Sequence, residues 1–484
     1  MGEALEKLLS AGVRISEGAE ELLEKIDKPQ DVIKEILHRN LLFVERKDIE
    51  EIIAEKNKIP TPVEIKRSDD FYPAAKEYPS KIRILHEDDV SGKSRCTGSV
   101  EDFIYHFTDR FERMKALIRR SRTTDKPIVE TNRLKEFERK EVRLIGLVYE
   151  KRITKQGNLL FEIEDLKGTA KVLVKQSDYR IFALAKSVLL DDIVAIDGRV
   201  SDPFVFATDI MYLDLPTIRE QKKTDIDVAI AYLSDLHIGS KNFLEREFSK
   251  FIEWLCGGSD RKELAGKVKY IVIAGDIIDG IGVYPLQERE LAIKDVFKQY
   301  EAFDQLISRI PDYIEIIVSP GNHDAVRRAD PQPLISKDLI KADVKRIGSP
   351  GWVDIEGLRH LVYHGTSLDG IISNASGLDY MHPEKPMVEL LKRRHLSPIY
   401  GENLIIPERH DYMVIQNEPD VMHMGHLHKN AYTFYRGTLV LNSGTFQSRT
   451  DFQVRMGHVP SPGIVYICES KTCKITALDF NSWR

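Results

Sequence analysis

The chain has 484 residues, 42% hydrophobic and 31% charged, a globular composition that excludes disordered and collagen-like chains, and at about 150 residues per domain it predicts two to four domains. With 71 Lys and Arg against 77 Asp and Glu the net charge is −6, so no global positive field attracts nucleic acid and any such surface must be local. No apolar run approaches the roughly 18 residues of a membrane span, and the N-terminus lacks the basic-then-apolar order of a signal peptide, so a cytoplasmic protein with no membrane partner is expected.

Apolar residues at helical spacing (Leu5, Leu8 and Leu9, then Leu22, Leu23 and Ile26, then Val32, Ile33, Ile36 and Leu37) predict a small helical module over residues 1–58. The prolines of Ile59-Pro60-Thr61-Pro62 end it. Residues 59–100, polar and broken by Pro73, Pro79 and Ser91-Gly92-Lys93-Ser94, read as a linker with one strand at 81–85. Residues 101–218 read as a helix plus a barrel. Phe103, Ile104, Phe107, Phe111, Met114, Leu117 and Ile118 form one helix face. The other face carries Arg110, Arg113, Lys115, Arg119 and Arg120, a stripe that Arg122 and Lys126 extend, and it suits either solvent or nucleic acid. Alternation over 141–149, 159–164 and 169–174, a helix at 179–188, then strands at 192–199 and 207–212 give the order of a five-stranded oligonucleotide-binding (OB) barrel. Such a barrel handles single strands or serves only for docking, and Phe204 and Phe206 beside a turn suit either use.

Beyond Thr224 five short apolar runs each lead into polar residues: Ser234-Asp235-Leu236-His237, Gly275-Asp276, Pro320-Gly321-Asn322-His323-Asp324, His364-Gly365 and Gly425-His426-Leu427-His428. Continuous apolar runs suit strands buried on both faces, and residues just past their ends gather at one rim of a sheet. Asp235 and His237, two apart on an extended segment, point to one side, as do His426 and His428, so each pair can grip an ion without backbone distortion. Carboxylate, imidazole and amide oxygen suit Mn, Fe or Zn. The four cysteines, Cys96, Cys256, Cys468 and Cys473, contain no CxxC pair, which argues against a thiolate site and a disulfide framework. Asp276 reads as the bridge between two ions about 3.5–4 Å apart, a clamp for in-line displacement at phosphorus. Gly275, Gly321, Gly365 and Gly425 stand where the chain must turn sharply or approach closely.

At these residues the sequence resembles the calcineurin-like metallophosphoesterase superfamily, whose pattern D-x-H, G-D, G-N-H-[DE], H and G-H-x-H is met without gaps in a domain over 225–484. The resemblance implies a multidomain α+β chain ending in a layered α/β sandwich with mixed sheets. It implies two divalent ions, Mn²⁺ first, with Mg²⁺, Fe²⁺ or Zn²⁺ as alternatives. One would be held by Asp235, His237, Asp276 and His428, the other by Asp276, Asn322, His364 and His426. His323 would be the general acid, oriented by Asp324.

The order of helical module, barrel and phosphoesterase resembles the small subunits of archaeal family D DNA polymerases, related to the B-subunits of eukaryotic replicative polymerases. That implies a 3′-to-5′ exonuclease that proofreads for a large catalytic subunit and acts on DNA, with that subunit or the sliding clamp as partner of the N-terminal module. A catalytically silent scaffold and another DNA phosphodiesterase of the recombination-repair type are the competing readings, and the complete ligand set argues against the scaffold. Candidate DNA contacts are Arg327 and Arg328 after the GNHD motif, Arg393 and Arg394 beside Lys392, and Arg119 and Arg120, with solvated loop charge as the alternative. Pro383, Pro386 and Pro398 with Gly401 mark an irregular insertion after His364, suited to a lid or a partner surface.

Overall fold

The computed structural model of the chain describes residues 8, 12–24, 29–38, 43–56, 71–121, 124–258 and 260–483, and contacts group the chain into two units, 1–66 and 67–484. In the first unit β1 (Arg14–Ile15) and β2 (Phe43–Val44) pair in parallel. Helices Glu17–Glu24, Pro29–His38 and Arg46–Lys56 surround a core that includes Leu23, Val32, Ile33, Ile36 and Ile49. Leu22, Leu23, Val32, Ile33, Ile36 and Leu37 thus fall in helices. Leu5, Leu9, Ile26 and the terminator from Ile59 to Pro62 lie outside the described residues.

In the second unit the stretch read as a linker is structural over its described part, 71–100. The strand expected near 81–85 is β3 (Ile82–Ile84), the outer strand of a sheet whose other members come from residues beyond 350. Its neighbours read as polar linker because they accept hydrogen bonds from the body they pack on: Asp89 is buried and takes the Gly348 N–H at 2.7 Å.

Strands β4 (Glu141–Ile153), β5 (Leu159–Asp165), β6 (Gly168–Val174), β7 (Ile193–Ser201) and β8 (Phe204–Met211) close into a barrel in the order β4-β5-β6-β8-β7. The helix Tyr179–Ser187 falls between β6 and β7, as the OB order predicts. Phe204 and Phe206 follow the turn at 202–203 as expected, and β8 takes them in by starting three residues before the expected 207. The helix Val100–Ser121 lays Phe111, Met114, Leu117 and Ile118 on Ile145, Ile193 and Ala195 of the barrel and on Val414. Its basic stripe is only partly exposed. Arg110 is buried and donates Nε–H to Asp411 at 2.6 Å, and Arg113 donates to the Asp411 carbonyl at 2.5 Å. Helical spacing alone could not show this, because Asp411 lies 301 residues away.

Next come β9 (Ala229–Leu233), β10 (Val268–Ala274), β11 (Glu315–Ser319) and β12 (Lys345–Arg346), all parallel. A second sheet holds β13 (Gly351–Ile355), β14 (Leu358–Val362), β15 (Val421–Met424), β16 (Ala431–Tyr435) and β17 (Thr438–Asn442), in the order β16-β17-β15-β14-β13-β3. The last strands, β18 (Ile464–Glu469) and β19 (Lys474–Asp479), return to the first sheet beside β9.

Period-2 alternation assigns the faces. In β9, Ile230 and Tyr232 meet Val353, Val362, Leu439 and Leu441 of the other sheet. Ala229, Ala231 and Leu233 turn the opposite way, onto helices that include Glu245–Leu255 and Val296–Ile307. Helices Leu368–Asn374 and Glu384–Arg393 cover the outer face of the second sheet. Parallel strands put their C-terminal ends together, and β9, β10 and β11 lead into the Asp235, Asp276 and Asn322 loops, as β14 and β15 of the facing sheet lead into His364 and His426. No helix among the described residues is long and apolar enough to cross a membrane.

Three histidines outside the motifs are buried and neutral. His360 donates Nδ1–H to the Leu358 carbonyl and accepts from the Tyr232 hydroxyl, and His395 donates Nε2–H to Asp411 and accepts the Ser397 N–H at Nδ1. Burial holds His360 and His395 down at about 4 and His423 at about 3, whereas each titrates near 6.5 in the unfolded chain. The unfolded state therefore takes up protons first as pH falls, so stability is intact above pH 6.5 and declines below it, by about 1.4 kcal/mol per histidine at pH 5.5. In the folded chain the ring resonances of these three histidines should therefore stay in their neutral positions in NMR spectra between pH 7.5 and pH 5.5; titration of any of them in that window would mean that it is not buried neutral.

Candidate functional site

The five strand-end loops meet. Three groups of candidate ligands, Asp235 with His237 and His428, His237 with Asp276 and His323, and Asp235 with Asp276 and His364, each place their ligand atoms within 4.8 Å of one another. Asn322 Oδ1 lies 3.0 Å from His364 Nε2, and the His426 ring stands 5.2 Å from that of His364. A cavity of about 280 Å³ opens over them, lined by His237, Asp276, Asn322, His323, His426 and His428 among others.

Contrary to the expectation of undistorted extended segments, Asp235, His237, Asp276, His426 and His428 all adopt left-handed backbone, with φ of 51°, 52°, 51°, 68° and 54°. Each such residue costs about 1–3 kcal/mol, and strain of this kind collects where function requires a fixed geometry. Two glycines are dictated by close approach. A methyl group on Gly321 would overlap the Asp276 carboxylate, and one on Gly425 would overlap that of Asp235.

Fixed acceptors set the ring tautomers. His364 donates Nδ1–H to the Ala274 carbonyl at 2.9 Å, His237 donates Nδ1–H to Asp279 Oδ1 at 3.0 Å, and His323 donates Nδ1–H to the Asp279 carbonyl at 2.7 Å. Each is left with Nε2 for the site. His426 is the reverse, giving Nε2–H to Asp369 at 2.9 Å and keeping Nδ1. His428 takes a hydrogen bond at Nδ1 from Gln453 Nε2 at 2.8 Å, and half a turn of that amide would free His428 Nε2 at the cost of the bond that Gln453 Oε1 accepts from the Thr450 N–H at 3.1 Å. Carboxylates and imidazole lone pairs converging in this way are the donor set of a centre for divalent ions.

The charges are mutually held. Burial works to raise the Asp276 carboxyl, but His364, His323 and His237 hold it well below its ordinary range. Burial works to lower His364, but Asp276 and Asp235 lift it to about 10. Burial pushes His323 below its usual value, with Asp276 opposing.

The calcineurin-like phosphoesterase family matches residues 228–430. The DNA polymerase II small subunit of Archaeoglobus fulgidus is 43% identical over 387 residues, covering 78% of this chain and 77% of that one. The DNA polymerase II small subunit of Methanothermobacter thermautotrophicus is 35% identical over 489 residues, 98% and 99% of the two chains. That of Methanocaldococcus jannaschii is 40% identical over 404 residues, 81% and 68%. The chain belongs to the DNA polymerase II small subunit family. Within this small-subunit chain the phosphoesterase domain implies divalent metal ions.

Several expected roles are corrected. Asp324 does not reach the His323 ring. Its carboxylate accepts the N–H groups of Gly321 and Ile277 and the Tyr300 hydroxyl, tying the Asp276 loop to the Asn322 loop, and burial, then Asp276, pushes it up to about 7. Asp279, which sequence reasoning passed over, orients both His237 and His323, and its signal was a second acid three residues after Asp276 on the same loop. Gln453, Asp369, Tyr284 and His458 also line the cavity with no sequence signature.

Arg393 and Arg394 do not face DNA: both are buried, Arg393 on Asp192 of the barrel at 2.9 Å and Arg394 on Glu418 at 2.8 Å. Arg327 is held by Glu408 at 3.0 Å and the Pro331 carbonyl at 2.7 Å. Arg328 is exposed and donates to the Gly282 carbonyl at 2.6 Å, beside the cavity-lining Val283. Arg119 and Arg120 are exposed on the last turn of their helix and do not line the cavity; Arg122 lies outside the described residues. Replacing Arg393 by Ala strands a buried Asp192, and a loss of about 3–5 kcal/mol is expected in denaturant unfolding. Any DNA binding measured by fluorescence anisotropy should keep its salt slope in this variant; a reduced slope would make Arg393 a phosphate contact.

Proposed function

We propose that the chain is the small subunit of a heteromeric archaeal replicative DNA polymerase, active in the cytoplasm, and that its phosphoesterase site is a two-metal 3′-to-5′ exonuclease that removes nucleotides from single-stranded or mismatched DNA ends. The observation that carries this reading is the convergence of Asp235, His237, His364 and His428 on Asp276 in overlapping groups of candidate ligands, with His323 in one of them. One ion would be held by Asp235, His237, Asp276 and His428, the other by Asp276, Asn322, His364 and His426, with Mn²⁺ the first candidate for both. When bound, the ions supply Lewis-acid stabilisation of phosphate charge and activation of the attacking water.

The chain's own groups supply the rest. Asp279 keeps the His323 Nδ1 proton on its carbonyl oxygen, so Nε2 is the atom that exchanges a proton with substrate. As a water oxygen bonds to phosphorus and the bond from phosphorus to the 3′ oxygen of the shortened strand breaks, protonated His323 gives its Nε2 proton to that oxygen, and the water's proton leaves to solvent. The product is a 5′-mononucleotide. The barrel and the N-terminal module are then available to a large catalytic subunit, with the sliding clamp as a second candidate for the module.

A 3′-mismatched primer-template incubated with the full chain and Mn²⁺, alone and with a large polymerase subunit, should release mononucleotides from the 3′ end. Asp276→Asn should abolish release, as should chelation of the metal, and His323→Ala should lower kcat about 10²–10⁴-fold. Absence of metal-dependent release in either setting would leave a scaffold in place of the exonuclease.

A further inference from the structure

The insertion after His364 and the segment after the helix Asp451–Met456 bring together three residues that the reaction above does not use. Asp369, in the helix Leu368–Asn374, accepts from His426 Nε2 at 2.9 Å, and burial together with its charge pushes the Tyr380 hydroxyl up to about 12. Tyr380 lies over His458, with ring centroids 4.4 Å apart and planes inclined by 29°. His458 and Asp369 line the cavity, whereas Tyr380 is not among the lining residues. The His458 imidazole therefore borders both the Tyr380 ring and the cavity. Both residues are half-buried.

A pair of stacked rings whose outer member borders a cavity offers a platform to a third planar group. The cavity, about 280 Å³, is at the lower bound of ligand pockets and suits one nucleotide unit rather than the end of a duplex. A base reaching it must have left its helical stack, and that is least costly for a mismatched or already single-stranded nucleotide.

We infer that His458, backed by Tyr380, stacks on the base of the 3′-terminal nucleotide whose phosphate lies at the His323 site, and that this contact selects unpaired ends. Tyr380 and Asp369 are positioning residues: Tyr380 backs the His458 ring, and Asp369 holds the His426 ring by its Nε2–H. The inference rests on the exonuclease reading given above.

The test compares two single-stranded oligonucleotides of one sequence, with a normal or an abasic 3′-terminal residue, digested by the full chain with Mn²⁺. The wild type should prefer the normal end about tenfold in kcat/KM. His458→Ala should lose that factor through KM and treat the two ends alike, with the stoichiometry of bound Mn²⁺ unchanged. Tyr380→Phe, which keeps the stacked ring, should keep the preference, and Tyr380→Ala, which removes it, should lose part of it. A readout independent of turnover is quenching of 3′-terminal 2-aminopurine fluorescence on binding to His323→Ala, which should disappear when His458→Ala is added. If the wild type digests both ends with equal efficiency, or His458→Ala keeps the preference, the platform is overturned and the exonuclease stands. If the wild type digests neither, the exonuclease reading falls, and a 2-aminopurine signal indifferent to His458→Ala overturns the platform as well.

Discussion

A carboxylate that is 2% exposed is costly unless its charge is met, and Asp276 is met on every side. Its Oδ1 accepts the His323 N–H at 2.8 Å, and its Oδ2 lies 3.3 Å from His364 Nε2 and 3.8 Å from His237 Nε2. Gly321 has no side chain because one would strike this carboxylate. The surrounding loops follow from the same constraint: each leaves the end of a buried strand and bends so that a ligand faces this one group. For Asp235, His237, His426 and His428 that bend is left-handed, a conformation only a rigid frame sustains.

The frame is the pair of facing sheets. Strands such as β9 and β10 are buried along their whole length, so their ends cannot shift without opening the core between the sheets or the helical layer outside. Asp324 adds a lateral tie between two of the loops, and Asp279 sets the tautomers of two histidines at once. The site is therefore preorganised by hydrogen bonds to groups that carry no chemistry of their own.

Charge is used differently elsewhere. Arg110 with Asp411, Arg393 with Asp192 and Arg327 with Glu408 are ion pairs with little exposure, and each joins segments at least 81 residues apart. Arg110 and Arg393, which look like basic surface in the sequence, fasten the barrel and its preceding helix to the phosphoesterase body, and Arg327 ties two loops within that body. Removing one partner leaves a buried charge, so these contacts define how the elements of residues 67–484 pack more than they add net stability.

Local pattern was enough for much of this. Period-2 alternation and turn residues placed the five barrel strands near their observed limits, because one face of each is buried in the barrel core. Apolar runs ending in Asp, His and Asn located the ligand loops, since a continuous run marks a strand buried on both faces. What the pattern missed depends on distant partners. Residues 71–100 read as a linker because the N–H that Asp89 satisfies belongs to Gly348. Asp324 was expected to orient His323, yet Asp279 sits nearer the ring because of how the Asp276 loop turns. The sequence by itself determined which elements form and which side chains stand at their ends, both consequences of local periodicity and residue chemistry. Only the tertiary structure decided which arginines are buried, which acid orients which histidine and which backbone bends left-handed, because each is settled by a partner brought close through packing rather than along the chain.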